Sequence, residues 1–387
     1  MKHWYHSLRY LATILAIVTS MPQQSAEATR VVFRRPLSKE AWTHVGRVIG
    51  GTDATQGEYP FMAFLMVDDG NLTAFCGGTI IARQWILTAG HCVVDEASEV
   101  GNALTAATNH TTQRHRVPLL QRKKGRGGAR NALTAVKASK VKVGVGSIYN
   151  AQTRTYAVSK VYMHPDLNLD YFDNDVALLK LKKKLSFGAN VQPIHIDTDA
   201  IADGLTVTGI GWGKTTLASQ TTAPTLQQVD LRIGDEALCK RIRPEFDSNN
   251  GDYICVTTPD GRDTCSGDSG GPLLRRCSDN QGLTGTAGSG PWLQLGITSY
   301  GDNAERDSDT VCASSSGAGF YTHVATYLSF ITKTTGIKTK DLAASCKGAK
   351  IDFVGTNGAN GNSGALPSVA FSALVIAIVV EVLFNLW

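Results

Sequence analysis

Apolar positions in this chain come in short runs broken by glycine, asparagine and threonine. The runs Phe61–Val67, Thr79–Ile81, Trp85–Ala89, Val141–Val145, Tyr156–Val161, Val176–Leu181, Leu205–Ile210 and Leu293–Tyr300 are rich in β-branched and aromatic residues. Runs of this length and composition predict strands, and their number predicts an all-β protein. Two apolar segments stand apart. Lys2 and Arg9 precede the run Leu11–Val18, and the small residues of Ala26-Glu27-Ala28 follow it. This pattern predicts a signal peptide over residues 1–28, and its apolar run is too short to span a bilayer comfortably. At the far end, residues 338–365 read as a polar, then glycine- and asparagine-rich, flexible linker leading to a hydrophobic tail over 366–387.

Composition changes this picture in one place. With 42% hydrophobic and 18% charged residues the chain suits a large globular protein. Its net charge of +5 is local: residues 102–130 hold seven cations and no acid, and without them the balance is −2. The five residues Asn102-Ala103-Leu104-Thr105-Ala106 recur at 131–135. Three readings of this basic insertion stand: a solvated loop, a polyanion-binding patch, or retained non-coding sequence. It lacks interleaved aromatics, so no nucleic-acid partner is expected.

The chemistry centres on Asp263-Thr264-Cys265-Ser266-Gly267-Asp268-Ser269-Gly270-Gly271-Pro272. Gly267 and Gly270 let the backbone bend closely around Ser269, and the turn can aim the N–H groups of Gly267 and Ser269 at one point. A serine hydroxyl needs a nearby base to act as a nucleophile. His91, in Leu87-Thr88-Ala89-Gly90-His91-Cys92, supplies one, and its ordinary pKa suits proton transfer near neutrality. Asp175, in Asn174-Asp175-Val176-Ala177-Leu178-Leu179, supplies a carboxylate to orient the base. Asp173 lacks the apolar strand that follows Asp175, so Asp175 is preferred. These motifs, in the order His91, Asp175, Ser269, resemble the trypsin/chymotrypsin family of serine proteases over about residues 48–337.

The resemblance implies two six-stranded antiparallel β-barrels with the site in the cleft between them, and a C-terminal helix at Val324–Ile331. It implies a catalytic triad of His91, Asp175 and Ser269, with Gly267 and Ser269 as the oxyanion hole. Asp263 would floor the primary pocket, with Ser299, Gly301 and Gly319 on its walls, giving cleavage after Arg or Lys. Residues 29–47 would be an activation propeptide cut after Arg47, in His44-Val45-Gly46-Arg47-Val48-Ile49-Gly50-Gly51, and the freed Val48 amine would pair with Asp268. The acidic insertion after Gly301 would rim the pocket and favour basic substrates by its field. Expected partners are protein or peptide substrates with Arg or Lys at the cleaved bond, and protein inhibitors. No cofactor or metal is expected, calcium in the acid-free loop Gly146–Tyr156 included.

Eight cysteines behind a signal peptide imply disulfides and a secreted protein. The resemblance pairs Cys76 with Cys92, Cys239 with Cys255, and Cys265 with Cys312. Cys277 departs from the family pattern, because no cysteine stands just before Gly211-Trp212-Gly213; Cys346 is the candidate left for it. Asn71 and Asn109 head glycosylation sequons. The tail, with its small residues, spacer and apolar end, resembles a glycosylphosphatidylinositol (GPI) anchor signal at the cell surface, with a membrane span or neither as the alternatives.

Overall fold

The computed structural model describes residues 48–68, 73–95, 133–216, 219, 221–258, 260–277, 290–303 and 312–346. The expected signal peptide, the expected propeptide with Arg47, Asn71, Asn109, the basic insertion, most of the acidic insertion, the expected linker beyond Cys346 and the apolar tail lie outside the described residues.

Strands β2 (Met62–Asp68), β3 (Thr73–Ala82), β4 (Trp85–Thr88), β5 (Val141–Val145), β6 (Arg154–Met163) and β7 (Ala177–Leu181) close a barrel in the order β2-β3-β4-β7-β6-β5. Every pairing in it is antiparallel. One face of the sheet, inside the barrel, carries Leu65, Ile80, Ile86, Val143, Val158, Leu179 and Leu181, all fully buried. Burying such a side chain contributes about 1.5–3 kcal/mol, which is what the apolar runs supply.

The second barrel uses β9 (Thr206–Gly211), β10 (Gln227–Ile233), β11 (Tyr253–Thr257), β12 (Pro272–Arg276), β13 (Trp292–Asn303) and β14 (Gly317–His323). They run in the order β9-β10-β11-β14-β13-β12, and β12 pairs with β9 to close the ring. Strand β10 alternates buried Val229, Leu231 and Ile233 with exposed Asp230 and Arg232, the period of a strand with one face on a core. The short β1 (Thr52–Asp53) adds to β10. Both expected six-stranded barrels are therefore present. Two short strands extend the second sheet in parallel: β8 (His195–Asp197) beside β13, and β15 (Ala343–Ala344) beside β8.

A short helix, α1 (Glu236–Ile242), is capped by the Asp235 side chain, which accepts the Leu238 N–H. The expected C-terminal helix begins as a 3₁₀ turn, Val324–Tyr327, and becomes α-helical as α2 (Leu328–Thr335). Gly336, at φ 75°, ends it in the left-handed conformation. Tyr327 and Ile331 pack into the hydrophobic cluster of the first barrel, so the chain returns across the molecule after the second.

Four disulfides are formed: Cys76–Cys92, Cys239–Cys255, Cys265–Cys312 and Cys277–Cys346. The last joins the end of β12 to the segment after β15, and Asp199 holds that segment by accepting the Ser345 hydroxyl and the Cys346 N–H. Among the described residues no helix is long and apolar enough to cross a membrane.

Candidate active site

Strand β4 leads into a 3₁₀ turn, His91–Val93, which the Cys76–Cys92 bridge ties to β3. This fixes the His91 backbone, whose N–H donates to Asp175 Oδ1 at 2.8 Å. The ring follows: Nδ1 lies 2.7 Å from Asp175 Oδ2. A carboxylate only accepts, so Nδ1 carries the proton and Nε2 is the basic nitrogen of the neutral ring. The edge of the ring meets Phe172, with centroids 5.7 Å apart.

Asp175 stands two residues before β7 and is fully buried. Ser299 on β13 donates its hydroxyl to Oδ2 at 2.5 Å, and Thr322 on β14 donates to the Asp175 carbonyl at 3.0 Å. The carboxylate of the first barrel is thus held from the second. Burial alone would raise its pKa. The charge of His91 and the hydrogen bonds from His91 and Ser299 outweigh that and leave it below the usual value.

Ser269 lies between two glycines with positive φ, Gly267 at 99° and Gly270 at 79°. Its carbonyl accepts the Gly77 N–H at 2.7 Å, and the Gly270 N–H donates to the Thr298 carbonyl at 2.8 Å. A Cβ at Gly270 would sit 2.3 Å from Thr88 Oγ1 and 2.6 Å from the Gly77 carbonyl, so only glycine allows this approach. The serine turn is therefore wedged between β3 and β4, which lead to His91, and β13, which carries Ser299. The N–H groups of Gly267 and Ser269 donate to no acceptor among the described residues.

Below the serine turn lies Asp263, 2% exposed. Its Oδ2 accepts the Ala313 N–H at 2.9 Å, while Oδ1 is buried with no hydrogen-bond partner. Burial raises its pKa to about 7, against the backbone N–H bonds that lower it. Gly301 and Gly319 face each other in the β13–β14 register, and a Cβ at Gly319 would come within 3.4 Å of Asp263 Oδ1. The Cys265–Cys312 bridge ties the segment ahead of the serine to the one ahead of β14. Ser299 turns its hydroxyl to Asp175.

Asp268 is fully buried. It accepts the Gly213 N–H at 2.7 Å and the Cys265 N–H at 2.9 Å, and it faces no cation among the described residues. Burial raises its pKa to about 7, with those two bonds opposing.

The structure adds groups that the motifs do not signal. Phe172 stacks on Tyr300 at 4.9 Å, and Tyr300 stacks on Phe320 at 5.2 Å. Arg243, at the end of α1, donates to the Tyr171 carbonyl and to Asp173, and its guanidinium lies 4.0 Å from the centre of the Tyr253 ring. Asp173 also accepts the Tyr253 hydroxyl. The carboxylate passed over in favour of Asp175 therefore anchors the same loop to the second barrel. Among the described residues Cys76, His91 and Cys92 are close enough to share a metal ion, but the two sulfurs are joined to each other and are not thiolate ligands.

Comparison with known proteins agrees with this geometry. A family model described as Trypsin matches residues 48–127 and 128–331. Trypsin-1 of Astacus astacus is 30% identical over 293 residues, covering 73% of this chain and 98% of that protein. Serine protease 7 of Drosophila melanogaster is 28% identical over 301 residues, covering 74% of this chain and 65% of that protein. With its two closed barrels and this cleft, the chain belongs to the trypsin family and is a serine endopeptidase.

Proposed function

We propose that the chain is a secreted, zymogen-activated endopeptidase that cleaves after Arg or Lys, with Ser269, His91 and Asp175 as its triad. Ser269 Oγ attacks the scissile carbonyl while His91 Nε2 takes the hydroxyl proton. The N–H groups of Gly267 and Ser269 stabilise the resulting oxyanion. The tetrahedral species then expels the amine, which receives the proton from His91, and an acyl-enzyme remains. Water, deprotonated by His91, attacks the ester and releases the acid and Ser269. Asp175 keeps the proton on Nδ1 and stabilises the imidazolium.

The observation that carries the specificity is the bare Oδ1 of Asp263. A buried carboxylate oxygen without a partner is costly, and a substrate guanidinium or ammonium removes the cost. Glycine at 319 keeps a Cβ away from this oxygen, where one would come within 3.4 Å of Oδ1, and Gly301 is its partner across the β13–β14 register. The same reasoning supports activation. Cleavage after Arg47 would free the Val48 amine, and Asp268 is a buried carboxylate awaiting a cation. Four disulfides fit an oxidising, extracellular compartment. The signal peptide over 1–28, glycosylation at Asn71 and Asn109, and a lipid anchor on the tail belong to the same reading.

The test is turnover of a short Arg-terminated amide before and after cleavage at Arg47. Activity should appear only after cleavage and vanish in Ser269→Ala. Equal turnover by the uncleaved chain would overturn the zymogen, and equal turnover by Ser269→Ala would overturn the triad.

A further inference from the structure

We propose that the outer face of β5, β6 and β7 is a docking surface for an acidic segment of the protein being cleaved. Residues 133–165 and 176–196 hold nine lysines and arginines and no aspartate or glutamate. The strands bring these cations together. Lys142 is exposed on β5 between buried Val141 and Val143. Lys160 is exposed on β6, and Lys180 is half-buried on β7 between buried Leu179 and Leu181. The run Lys182-Lys183-Lys184 continues from β7, all three exposed. None of these six lysines forms an ion pair among the described residues.

The register makes the arrangement costly on its own. Lys160 is paired directly with Lys180 across β6 and β7. Like charges opposite one another destabilise a sheet, and no carboxylate from either strand relieves them. What lies beneath them is aromatic. Lys160 Nζ is 4.6 Å from the centre of the Tyr162 ring, Lys180 Nζ is 5.4 Å from that of Trp85, and the two rings are 5.6 Å apart. Cations over ring faces are held in place but keep their charge for an outside partner.

The occupant follows from position and chemistry. Strand β7 runs directly from Asp175, so Lys180 lies about 17 Å along it at about 3.3 Å per residue. An extended polypeptide crossing the cleft covers that distance in roughly five residues. The cations are mainly lysines, point charges without the fork that matches sulfate and phosphate groups. Trp85 is buried and Tyr162 half-buried, so no row of open ring faces is offered to nucleic-acid bases. An acidic stretch of the polypeptide substrate is the partner that fits. The inference uses the endopeptidase activity, and its first test does not depend on specificity for Arg or Lys.

That test is binding of a fluorescent peptide containing six consecutive glutamates to the full chain carrying Ser269→Ala, followed by anisotropy at low ionic strength. Charge reversal by Lys160→Glu with Lys180→Glu should weaken binding at least tenfold, and neutral Lys160→Ser with Lys180→Ser should weaken it less. Lys123→Glu with Lys124→Glu, in the basic insertion, should leave it within twofold. In the activated enzyme, an Arg-containing peptide with the acidic stretch five to eight residues from the cleaved bond should lose kcat/KM to a similar degree on reversal at 160 and 180. A short Arg amide should not. Binding that survives this reversal, or that is lost only on reversal at 123 and 124, overturns the proposal. So does retention on a sulfated polysaccharide that depends on Lys160 and Lys180 while glutamate-peptide binding does not.

Discussion

Asp263→Ser removes the one group on which the proposed specificity turns, and the structure sets the size of the effect. The carboxylate is 2% exposed, with one backbone N–H on Oδ2 and nothing on Oδ1. Burial first, and the nearby charge of Asp268 last, raise its pKa from 3.8 to about 7, against the Ala313 N–H bond and the weaker influence of the Thr264 backbone. That rise is worth roughly 4 kcal/mol against the charged form. A guanidinium that pairs with the carboxylate recovers most of this, up to ~1000-fold in kcat/KM over an uncharged side chain of similar length. Asp263→Ser should therefore lower kcat/KM for a short Arg amide by about that factor and barely change it for a norleucine amide.

The same number gives a pH signature. In the empty pocket Asp263 titrates near 7, and a cation binds only its ionised form. Benzamidine, a small amidinium that fits such a slot, should bind more tightly as pH rises through about 7, releasing a proton below it. Calorimetry in two buffers of different ionisation enthalpy reads that proton directly. Asp263→Ser should abolish both the pH dependence and the proton release. If the variant keeps its preference for Arg within tenfold, or if the parent releases no proton on binding, the reasoning fails.

Three further outcomes follow from the site. Asp268 in the uncleaved chain has a raised pKa, so the folded state binds more protons than the unfolded one between about 4 and 7, and stability falls as pH rises through that window. Asp268→Asn should remove its share of that slope in denaturant titrations of the uncleaved chain, leaving the share of Asp263, whose pKa is raised to a similar value, and should cost about 3–5 kcal/mol in a chain whose proposed cleavage at Arg47 has supplied the ammonium. Asp175 has a lowered pKa, so its contribution is present above the ordinary carboxylate range and is lost only as pH falls through a value below it. Asp175→Asn should cost about 10,000-fold in kcat, the size seen for this substitution in the family's triad, while KM for a short Arg amide changes little. Loss of the Cys277–Cys346 bridge, which closes a separation of 69 residues, should lower unfolding free energy by roughly 4 kcal/mol while leaving kcat unchanged.

What the chain reveals before folding depends on the range of the interaction. Strands whose core residues run together, as in Trp85–Ala89 and Leu293–Tyr300, are legible because their burial is written in nearly consecutive positions. Strand β10 is not among those runs: Gln227, Asp230 and Arg232 break its apolar residues and hide it from a search for continuous hydrophobicity, although its burial alternates. Strands β12 and β14 open on Pro272 and Gly317, residues that argue against a strand unless its partners are known. The motifs around His91, Asp175 and Ser269 are legible for a related reason: each is local, a turn after β4, a residue shortly before β7, a glycine-flanked bend. The groups that the motifs leave unmarked, Ser299 on Asp175 and Arg243 on Asp173, act between barrels across 124 and 70 residues of sequence. Such pairs carry no spacing for a motif to record, because only the closed fold brings them within reach. Both tie the Asp175 loop to the second barrel. The geometry at His91 is therefore a property of the two barrels docked together, and a loosened interface should show first in the orientation of the imidazole.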